Sequence, residues 1–408
     1  MKSGSTNTIL FIYNSFKDPL FQNLVLSYVK TLSKHEYGTF HLITFEQKAF
    51  KTSKHERSKL KKQLQQYHIY WHPLNYHTGQ FLLLKKVWDF IQAIFLTCYI
   101  RLKWRTQVIF AFANVSGAIC IVLKKILRMK MIIYSYEPHS EFMVELGVWS
   151  EQSLKYKLLR YLDGLIGRET EYILTGTRHM VDYLEHTRSK GKIFRAPTAV
   201  DSTIYRFREK GRYNVRNQLN ISDRHVFVYV GKFGDLYYKE EIPEILSIIG
   251  REIPNAFFIV ATPNDYDEII NMFSRFLKEN QYHVSVGVSQ DVIIDFLSAA
   301  DFAINAIPPT PSQKFRSPTK TAEYLLCGLP YITCGGISED DEVATEYDVG
   351  VVIEEFKPDF ILKSMDEIKN FLKTDREELR NRCRKVGMKY RSKERIDKIL
   401  NEIYTELV

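Results

Sequence analysis

Residues 317–332 read SPTKTAEYLLCGLPYI and decide the fold. Pro318 suits the first turn of a helix, because its missing N–H would have no partner there, and Ser317 can cap that helix. The apolar residues that follow fall on one helical face, and Gly328 suits the left-handed position that ends a helix. Tyr331–Cys334 is then a short buried strand, followed by a Gly-Gly turn. An ordinary capped helix before a core strand would have the same local features.

The start of this helix also carries side chains that suit an anionic, hydroxylated ligand. Ser317, Thr319 and Lys320 lie in or near the first turn, and Glu323 lies one turn further in. The N-terminus of a helix attracts anions through its free N–H groups and its dipole. A carboxylate one turn away can accept hydrogen bonds from the hydroxyl groups of a sugar.

Short apolar strands alternate with helical segments on both sides of this stretch. In the second half of the chain the predicted strands are Val226–Val230, Ala256–Ala261, His283–Val286, Phe302–Asn305, Tyr331–Thr333 and Val351–Ile353. In the first half they are Thr8–Tyr13, Tyr37–Phe45, Ile69–Trp71, Val108–Phe112, Met131–Tyr136 and Tyr172–Leu174, with a turn at His72-Pro73-Leu74. This alternation predicts an α/β fold with two parallel, doubly wound sheets, which suits a chain of 408 residues.

The segment 317–332 closely resembles the SPTK..EYLA.GLPVI signature of the family-four retaining glycosyltransferases, including those that build bacterial surface polysaccharides. Residues 197–207, PTAVDSTIYRF, are similar to the P.GVD...F linker of the same family. The resemblance is strong from Phe194 to Gly350 and weak before residue 130. It implies the GT-B architecture, in which two Rossmann-like domains face each other across a cleft. The expected domains are 1–198 on the acceptor side, 199–390 for the nucleotide sugar, and a helix at 391–408 that packs back on the N-terminal domain.

The same resemblance assigns roles in the C-terminal domain. Lys232 and Lys239 match the two cations that hold the donor diphosphate, with Lys in place of the commoner Arg at the first position. Glu323 matches the second glutamate of a Glu–seven residues–Glu motif and is expected to bind the nucleotide ribose. The first glutamate is replaced by Phe315, so the sugar-facing role would pass in part to Ser317, Thr319 and Lys320. Gly336 belongs to the loop after the next strand, near the phosphates or the sugar.

In the N-terminal domain the candidates follow the predicted strands directly. Glu137 and His139, after Met131–Tyr136, resemble a segment of the family that contacts the transferred sugar, although a helix cap with a surface histidine fits the residues equally. Ser15 lies in the loop after the first strand, where the family has a Gly-rich turn that this chain lacks. Glu137, His139, Lys232 and Lys239 are the predicted catalytic residues. The predicted donor-binding residues are Ser15, Ser317, Thr319, Lys320, Glu323 and Gly336.

The composition narrows the class of protein. Apolar residues make up 45% of the chain, which argues against disorder. The net charge of +9 favours anionic partners, but no nucleic-acid-binding motif accompanies it. Five scattered cysteines without a CxxC pair indicate a reducing compartment and no zinc site, and the N-terminus has no signal-peptide pattern. We therefore expect a cytoplasmic protein, with the inner face of the plasma membrane as a candidate location.

Residues 81–105 allow two interpretations. The apolar run Val87–Ile100 has only 14 residues and includes Asp89 and Gln92, too short and too polar to span a bilayer. Aromatic residues within it and basic residues around it describe a helix that lies on a membrane. A helix packed on the sheet is the alternative, and both hold if one face is buried and the other touches lipid. The basic residues are Lys85, Lys86, Arg101, Lys103 and Arg105.

These features predict a glycosyltransferase that moves a sugar from a nucleotide-diphosphate sugar to a polysaccharide or lipid-linked oligosaccharide. The resemblance implies retention at the anomeric carbon, no cofactor besides the donor and no obligatory metal. Asp265-Tyr266-Asp267 is the sole candidate for a metal-binding Asp-x-Asp, and helix capping by Asp265 is the simpler interpretation. A non-catalytic nucleotide-sugar-binding protein or a membrane scaffold remains the alternative, because of Phe315.

Overall fold

The structure is a computed structural model that describes residues 6–18, 21–35, 37–50, 52–79, 81–135, 138–187 and 189–407. The chain divides into two compact units. The first comprises Met1–Pro197 with Ile396–Val408, and the second comprises Thr198–Arg395. Each unit contains one parallel sheet flanked by helices, so the predicted pair of doubly wound sheets is confirmed.

The first unit has a seven-stranded sheet in the order β3-β2-β1-β4-β5-β6-β7. Its strands are β1 (Thr8–Ile12), β2 (Phe40–Glu46), β3 (Ile69–Asn75), β4 (Val108–Phe112), β5 (Lys130–Ser135), β6 (Tyr172–Thr175) and β7 (Lys192–Arg195). Its helices are α1 (Leu26–Lys34), α2 (Lys54–Gln65), α3 (Leu82–Trp104), α4 (Asn114–Leu127), α5 (His139–Glu145), α6 (Leu154–Glu169) and α7 (Arg178–His186), and a wide π-type turn, Phe21–Val25, precedes α1. Strands β1, β2 and β4 are buried along their whole length, and this burial explains the nearly continuous apolar sequence of β1 and β4.

Two details at the edges of this sheet differ from the prediction. The turn predicted at His72-Pro73-Leu74 is wrong, because β3 continues through Pro73 to Asn75. Strand β3 lies at the sheet edge, where a missing proline N–H costs no ladder hydrogen bond. Strand β7 was not predicted, since Lys192-Ile193-Phe194-Arg195 is short and charged at both ends. It forms the opposite edge of the sheet.

The second unit has a six-stranded sheet in the order β10-β9-β8-β11-β12-β13. Its strands are β8 (His225–Val230), β9 (Ala256–Thr262), β10 (Tyr282–Val286), β11 (Phe302–Asn305), β12 (Tyr331–Cys334) and β13 (Gly350–Ile353). Its helices are α8 (Glu209–Gln218), α9 (Glu241–Glu252), α10 (Tyr266–Phe273), α11 (Gln290–Ala299), α12 (Thr319–Leu326), α13 (Asp340–Glu346), α14 (Pro358–Lys363), α15 (Met365–Lys373) and α16 (Arg376–Tyr390). The strand order reverses between β8 and β11, and open α/β sheets bind ligands beyond the carboxyl ends of strands at such a point.

The last helix, α17 (Lys393–Leu407), belongs to the first unit from Ile396 onward. The buried Tyr404 hydroxyl donates to Thr8 Oγ1 on β1 at 3.1 Å. Lys192 of β7 forms an ion pair with Glu402 at 2.8 Å. The predicted return of the last helix to the N-terminal part of the chain is thereby confirmed. Within the described ranges, no helix is both long and apolar enough to cross a membrane.

A buried ionic cluster closes the amino end of the second sheet. Asp301, just before β11, accepts from Arg212 at 2.8 Å and from Arg216 at 2.6 Å. Arg376 approaches the same carboxylate at 3.2 Å. Burial alone would raise the pKa of Asp301, but the three guanidinium groups outweigh it and hold that pKa below its usual value. The cluster ties α8 and α16 to the edge of the sheet opposite the ligand-binding edge.

Candidate functional site

Helix α12 begins just beyond the carboxyl end of β11, after the short helical turn Gln313–Phe315. It spans Thr319–Leu326, with Pro318 rather than Ser317 at the capping position and no side-chain cap. The predicted cap by Ser317 is therefore wrong. The predicted helix end is confirmed, because Gly328 has a φ of +80° and Leu329 N–H donates to Tyr324 O at 2.9 Å. These are features of a Schellman motif, which satisfies the last carbonyl groups of the helix.

Ser317 instead joins three parts of the second unit. Its hydroxyl oxygen accepts from the Thr198 backbone N–H at 3.0 Å and from the Arg391 guanidinium. Arg391 also pairs with the buried carboxylate of Asp340, at the start of α13, and Thr321 of α12 donates to the same carboxylate at 2.6 Å. The start of α12 is thus fixed from both sides by a buried charged network.

Glu323 lies one turn into α12, and its residue is only 6% exposed. Oε1 accepts from the Tyr205 hydroxyl at 3.1 Å, and Oε2 accepts from Lys320 Nζ at 3.2 Å. Gln290, the first residue of α11, donates to the Tyr205 oxygen at 3.0 Å. Each carboxylate oxygen can accept a second hydrogen bond, so this arrangement orients the carboxylate and leaves it able to receive hydroxyl groups. Burial and the neighbouring carboxylate raise the pKa of Tyr205, which keeps its hydroxyl a donor.

Lys232 and Lys239 lie in one loop between β8 and α9, and both are exposed. The loop reverses at Gly234, where φ is +80°, and Phe233 anchors it by donating its N–H to Asn264 Oδ1 at 3.0 Å. Lys239 forms an ion pair with Glu268 of α10 at 2.7 Å, and this hydrogen bond raises the pKa of the ammonium group. The structure therefore places both lysines beyond the carboxyl end of β8, with Lys239 already paired.

The loops at this edge are bonded to one another. Tyr238 N–H, just before Lys239, donates to Ala306 O after β11 at 3.4 Å. Ser338 N–H, in the loop after β12, donates to Gln313 O at 3.1 Å. Gly336 in that loop is exposed, has a φ of +74°, and donates its N–H to Asp341 at 2.7 Å. The predicted residues of the second unit therefore belong to one connected set of loops around the switch point.

The three candidate residues of the first unit are Ser15, His139 and Glu137. Ser15 is fully buried, and its hydroxyl donates to Phe45 O at 3.2 Å and accepts from Gln47 N–H at 2.7 Å, so its hydrogen bonds hold the loop after β1. His139 begins α5 and is partly buried, with its ring edge-on to Trp149 at 5.7 Å. Glu137 lies outside the described residues. None of these three roles is tested by the structure, and each stays a prediction.

Asp265 caps α10, accepting from Asp267 and Glu268 N–H at 3.1 Å each. This confirms the capping interpretation of Asp265-Tyr266-Asp267.

The sequence analysis missed Tyr205, Gln290 and Arg391, which complete the surroundings of α12. Tyr205 lies within the linker-like stretch 197–207, and that stretch was the available signal. Gln290 and Arg391 carry no local pattern, because their role depends on contacts between distant parts of the chain.

Comparisons with known proteins support the fold. No protein-family model matches the chain, and no curated protein matches its sequence. Among solved structures, Anabaena HepE in complex with UDP has a TM-score of 0.70 at 11% identity, covering 98% of this chain and 100% of that one. Sucrose-phosphate synthase from Thermosynechococcus elongatus has a TM-score of 0.72 at 14% identity, covering 99% of each chain. WaaG, a glycosyltransferase of lipopolysaccharide biosynthesis, has a TM-score of 0.64 at 12% identity, covering 97% and 99%. The chain therefore has the two Rossmann-like domains of the GT-B glycosyltransferase fold.

Proposed function

We propose that the protein is a glycosyltransferase that moves a sugar from a nucleotide-diphosphate sugar to a glycan or lipid-linked acceptor. The observation that carries this proposal is the Glu323 carboxylate. It is buried one turn into α12, beside the switch point of the second sheet, and is held by Tyr205 and Lys320. An oriented carboxylate at a helix start suits the paired hydroxyl groups of a ribose.

The leaving diphosphate would be stabilised by charge rather than by proton transfer from the protein. Lys232 and Lys239 supply two cations beyond β8, and the first N–H groups of α12 supply further donors. This arrangement supports a reaction without an obligatory metal. Retention at the anomeric carbon rests on the resemblance of 317–332 to the family-four enzymes.

UDP-glucose is the first donor to test, since HepE structures are described with UDP, with UDP and glucose, and with UDP-glucose. Calorimetric titration with UDP, GDP and ADP measures nucleotide preference, and release of UDP from UDP-glucose measures turnover. Addition of EDTA should leave turnover unchanged. The anomeric configuration of the product, read by NMR, tests retention. Binding of UDP without any release of UDP from a panel of UDP-sugars and acceptors would contradict the proposed activity and support a non-catalytic nucleotide-sugar-binding protein.

We further propose that α3 holds the first unit on an anionic membrane. Its outer face is an apolar stripe of exposed side chains, at positions Leu84, Trp88, Phe95, Tyr99 and Leu102. Phe95 is 72% exposed and Leu102 is 81% exposed. Leu84 and Leu102 are 18 positions apart, about 27 Å at 1.5 Å per residue. An exposed apolar stripe of this length is typical of a helix that lies in a membrane interface.

Asp89, one of the two polar residues that argued against a spanning helix, lies on the buried face of α3. Asp89 is fully buried, and it accepts from His77 N–H at 3.1 Å. Lys86 turns inward as well, with Nζ 3.7 Å from Asp89 and 3.0 Å from the centre of the Tyr76 ring. The buried face and the exposed apolar face therefore coexist on one helix, as the two sequence-based interpretations together allowed.

Four of the five basic residues of this segment remain to attract anionic lipid: Lys85, Arg101, Lys103 and Arg105. On a helix of 3.6 residues per turn, Lys85 and Lys103 lie along one border of the apolar stripe and Arg101 lies along the other. Each cation near an anionic surface contributes about 1 kcal/mol. Neutralising these four by glutamine should abolish sedimentation with vesicles containing phosphatidylglycerol. Lys86→Gln, the matched control, should leave vesicle binding unchanged, and equal binding to neutral vesicles would contradict the proposal.

A further inference from the structure

A cavity of about 180 Å³ lies in the first unit, among α4, α5, α6 and α7. At roughly 30 Å³ per water, this is the space of about six waters, enough for one ring-sized ligand. Asn114 and Ser140, which lie just after β4 and β5, form one side of it. The cavity is thus at the carboxyl edge of the sheet, where open α/β sheets bind ligands. It shares no residue with the donor site proposed above.

The polar residues that line the cavity include both acceptors and donors. Asp163 Oδ2 accepts from Ser140 Oγ at 2.7 Å, and Oδ1 accepts from Asn114 Nδ2 at 3.3 Å. Glu141 and Tyr183 also line the cavity, and burial together with this carboxylate raises the pKa of the Tyr183 phenol. The phenol therefore stays protonated as a donor. Asp163 and Glu141 present oxygen acceptors.

The rest of the lining includes four apolar side chains, those of Ile166, Ile173, Met180 and Leu184. Arg160, which donates to the Tyr156 hydroxyl at 2.8 Å, contributes a cation to the lining. A lining that combines polar and apolar side chains suits a sugar ring, which presents both hydroxyl groups and C–H groups.

Two glycines in the interior of α6 keep the cavity open. Gly164 and Gly167 both line it, although glycine is less favourable than alanine inside a helix. Packing does not require either glycine. A Cβ at Gly167 would meet Leu184 Cδ2 at 3.5 Å, an ordinary contact, and a Cβ at Gly164 would meet only Arg168 at 3.9 Å. Alanine would therefore fit at both positions and would stabilise the helix. Glycine at these positions instead leaves the space of the cavity unfilled.

From this geometry we propose that the cavity binds one neutral sugar residue of the acceptor. The inference rests on the proposed glycosyltransferase function. The two carboxylates of the lining, Asp163 and Glu141, outnumber its one cation, Arg160, so the site favours hydroxyl donors and disfavours an anionic sugar. The apolar side chains would contact the ring, and the volume limits the site to a single residue.

Saturation-transfer NMR with methyl glycosides of glucose, galactose, mannose and N-acetylglucosamine tests the site directly. At least one of these should bind the wild type, and methyl glucuronide should bind more weakly. Gly167→Ala should bind the same sugar at least tenfold more weakly, with a melting temperature equal to or above that of the wild type. Arg160→Gln should also weaken binding. Lys157→Gln, which removes an exposed charge from the same helix outside the cavity, should not.

Calorimetry with UDP on the same proteins separates this inference from the proposed function. UDP affinity should be equal in the wild type and all three variants, since the cavity belongs to the first unit. Failure of the wild type to bind UDP would count against the proposed donor, while the sugar titration would still report on the cavity. Absence of binding by every neutral glycoside, stronger binding of the glucuronide, or wild-type binding by Gly167→Ala would each overturn the inference.

Discussion

Replacing Glu323 by glutamine is the most direct test of the donor site. Glutamine keeps the shape of the side chain and one oxygen that can accept from Tyr205, whose hydroxyl lies 3.1 Å from Oε1. It removes the charge that Lys320 contacts and that would accept from a ribose. Losing one charge-assisted hydrogen bond to the donor costs about 1.5–3 kcal/mol, which raises Kd roughly tenfold to a hundredfold. The free energy of unfolding should fall by no more than about 1 kcal/mol, because the Lys320 pair is partly exposed.

Calorimetry with UDP and UDP-glucose measures the affinity, and a thermal scan of the same samples measures stability. Tyr205→Phe is the matched control. It removes the hydroxyl that joins Glu323 to Gln290 but leaves the carboxylate charge in place. We expect this control to lower the melting temperature and to weaken donor binding less than Glu323→Gln does, because the charge remains. If Glu323→Gln binds UDP as tightly as the wild type, the carboxylate does not contact the donor and the assignment fails.

Three further predictions address charges elsewhere in the two units. Lys232→Ala and Lys239→Ala should each weaken the binding of UDP and UDP-glucose about tenfold. Glu268→Gln, which removes the 2.7 Å ion pair of Lys239, should not weaken this binding. A lysine variant that binds UDP as tightly as the wild type would show that the lysine does not contact the diphosphate. Asp301→Ala should lower the free energy of unfolding by about 3–5 kcal/mol, because it leaves Arg212 and Arg216 buried without a counter-charge. Urea titration measures this loss, and a loss below about 1 kcal/mol would contradict the prediction. Burial lowers the pKa of His41 to about 3 and that of His72 to about 4, so the unfolded chain binds protons below pH 6.5 that the folded unit does not. Stability should therefore fall as the pH drops from 6.5 toward 4, by about 2 kcal/mol per imidazole at pH 5. Tryptophan fluorescence measures this unfolding, since all four tryptophans lie in the first unit. If the stability of His72→Gln depends on pH as steeply as that of the wild type, the prediction is refuted.

The sheets could be predicted from the sequence because buried parallel strands are almost wholly apolar. Val108–Phe112 and Phe302–Asn305 have the bounds that were predicted. The errors lie where local sequence and position in the sheet disagree. Pro73 signals a turn in isolation, yet an edge strand accommodates it. Strand β7 is too short and too charged to be recognised without its neighbour β6.

The sites were less predictable than the fold for a physical reason. Glu323 could be found from a local motif, but its partner Tyr205 is 118 residues away along the chain. Gln290 is also distant from Tyr205 along the chain, and only folding brings it to the Tyr205 hydroxyl. Ser317 was predicted to cap the helix because the residues around it form a capping pattern. In the structure its hydroxyl oxygen instead accepts hydrogen bonds from Arg391 and Thr198. The cavity at Asp163 had one sequence signal, the pair Gly164 and Gly167 inside a helix. That pattern marks two helical positions without a side chain, but it does not show a cavity or what surrounds it.

The contacts of Ser317 link the proposed donor site to the two ends of the second unit. Thr198 begins that unit, and it donates to Ser317 at 3.0 Å. Arg391, four residues before the unit ends, bonds both Ser317 and Asp340, and its backbone carbonyl accepts from Val200 N–H at 3.1 Å. The segments by which the chain enters and leaves the second unit are therefore fastened to the start of α12. A ligand that binds there contacts a helix whose position depends on both segments. For this reason a change at Ser317 would alter both the helix and its anchoring, whereas Glu323→Gln changes the carboxylate alone.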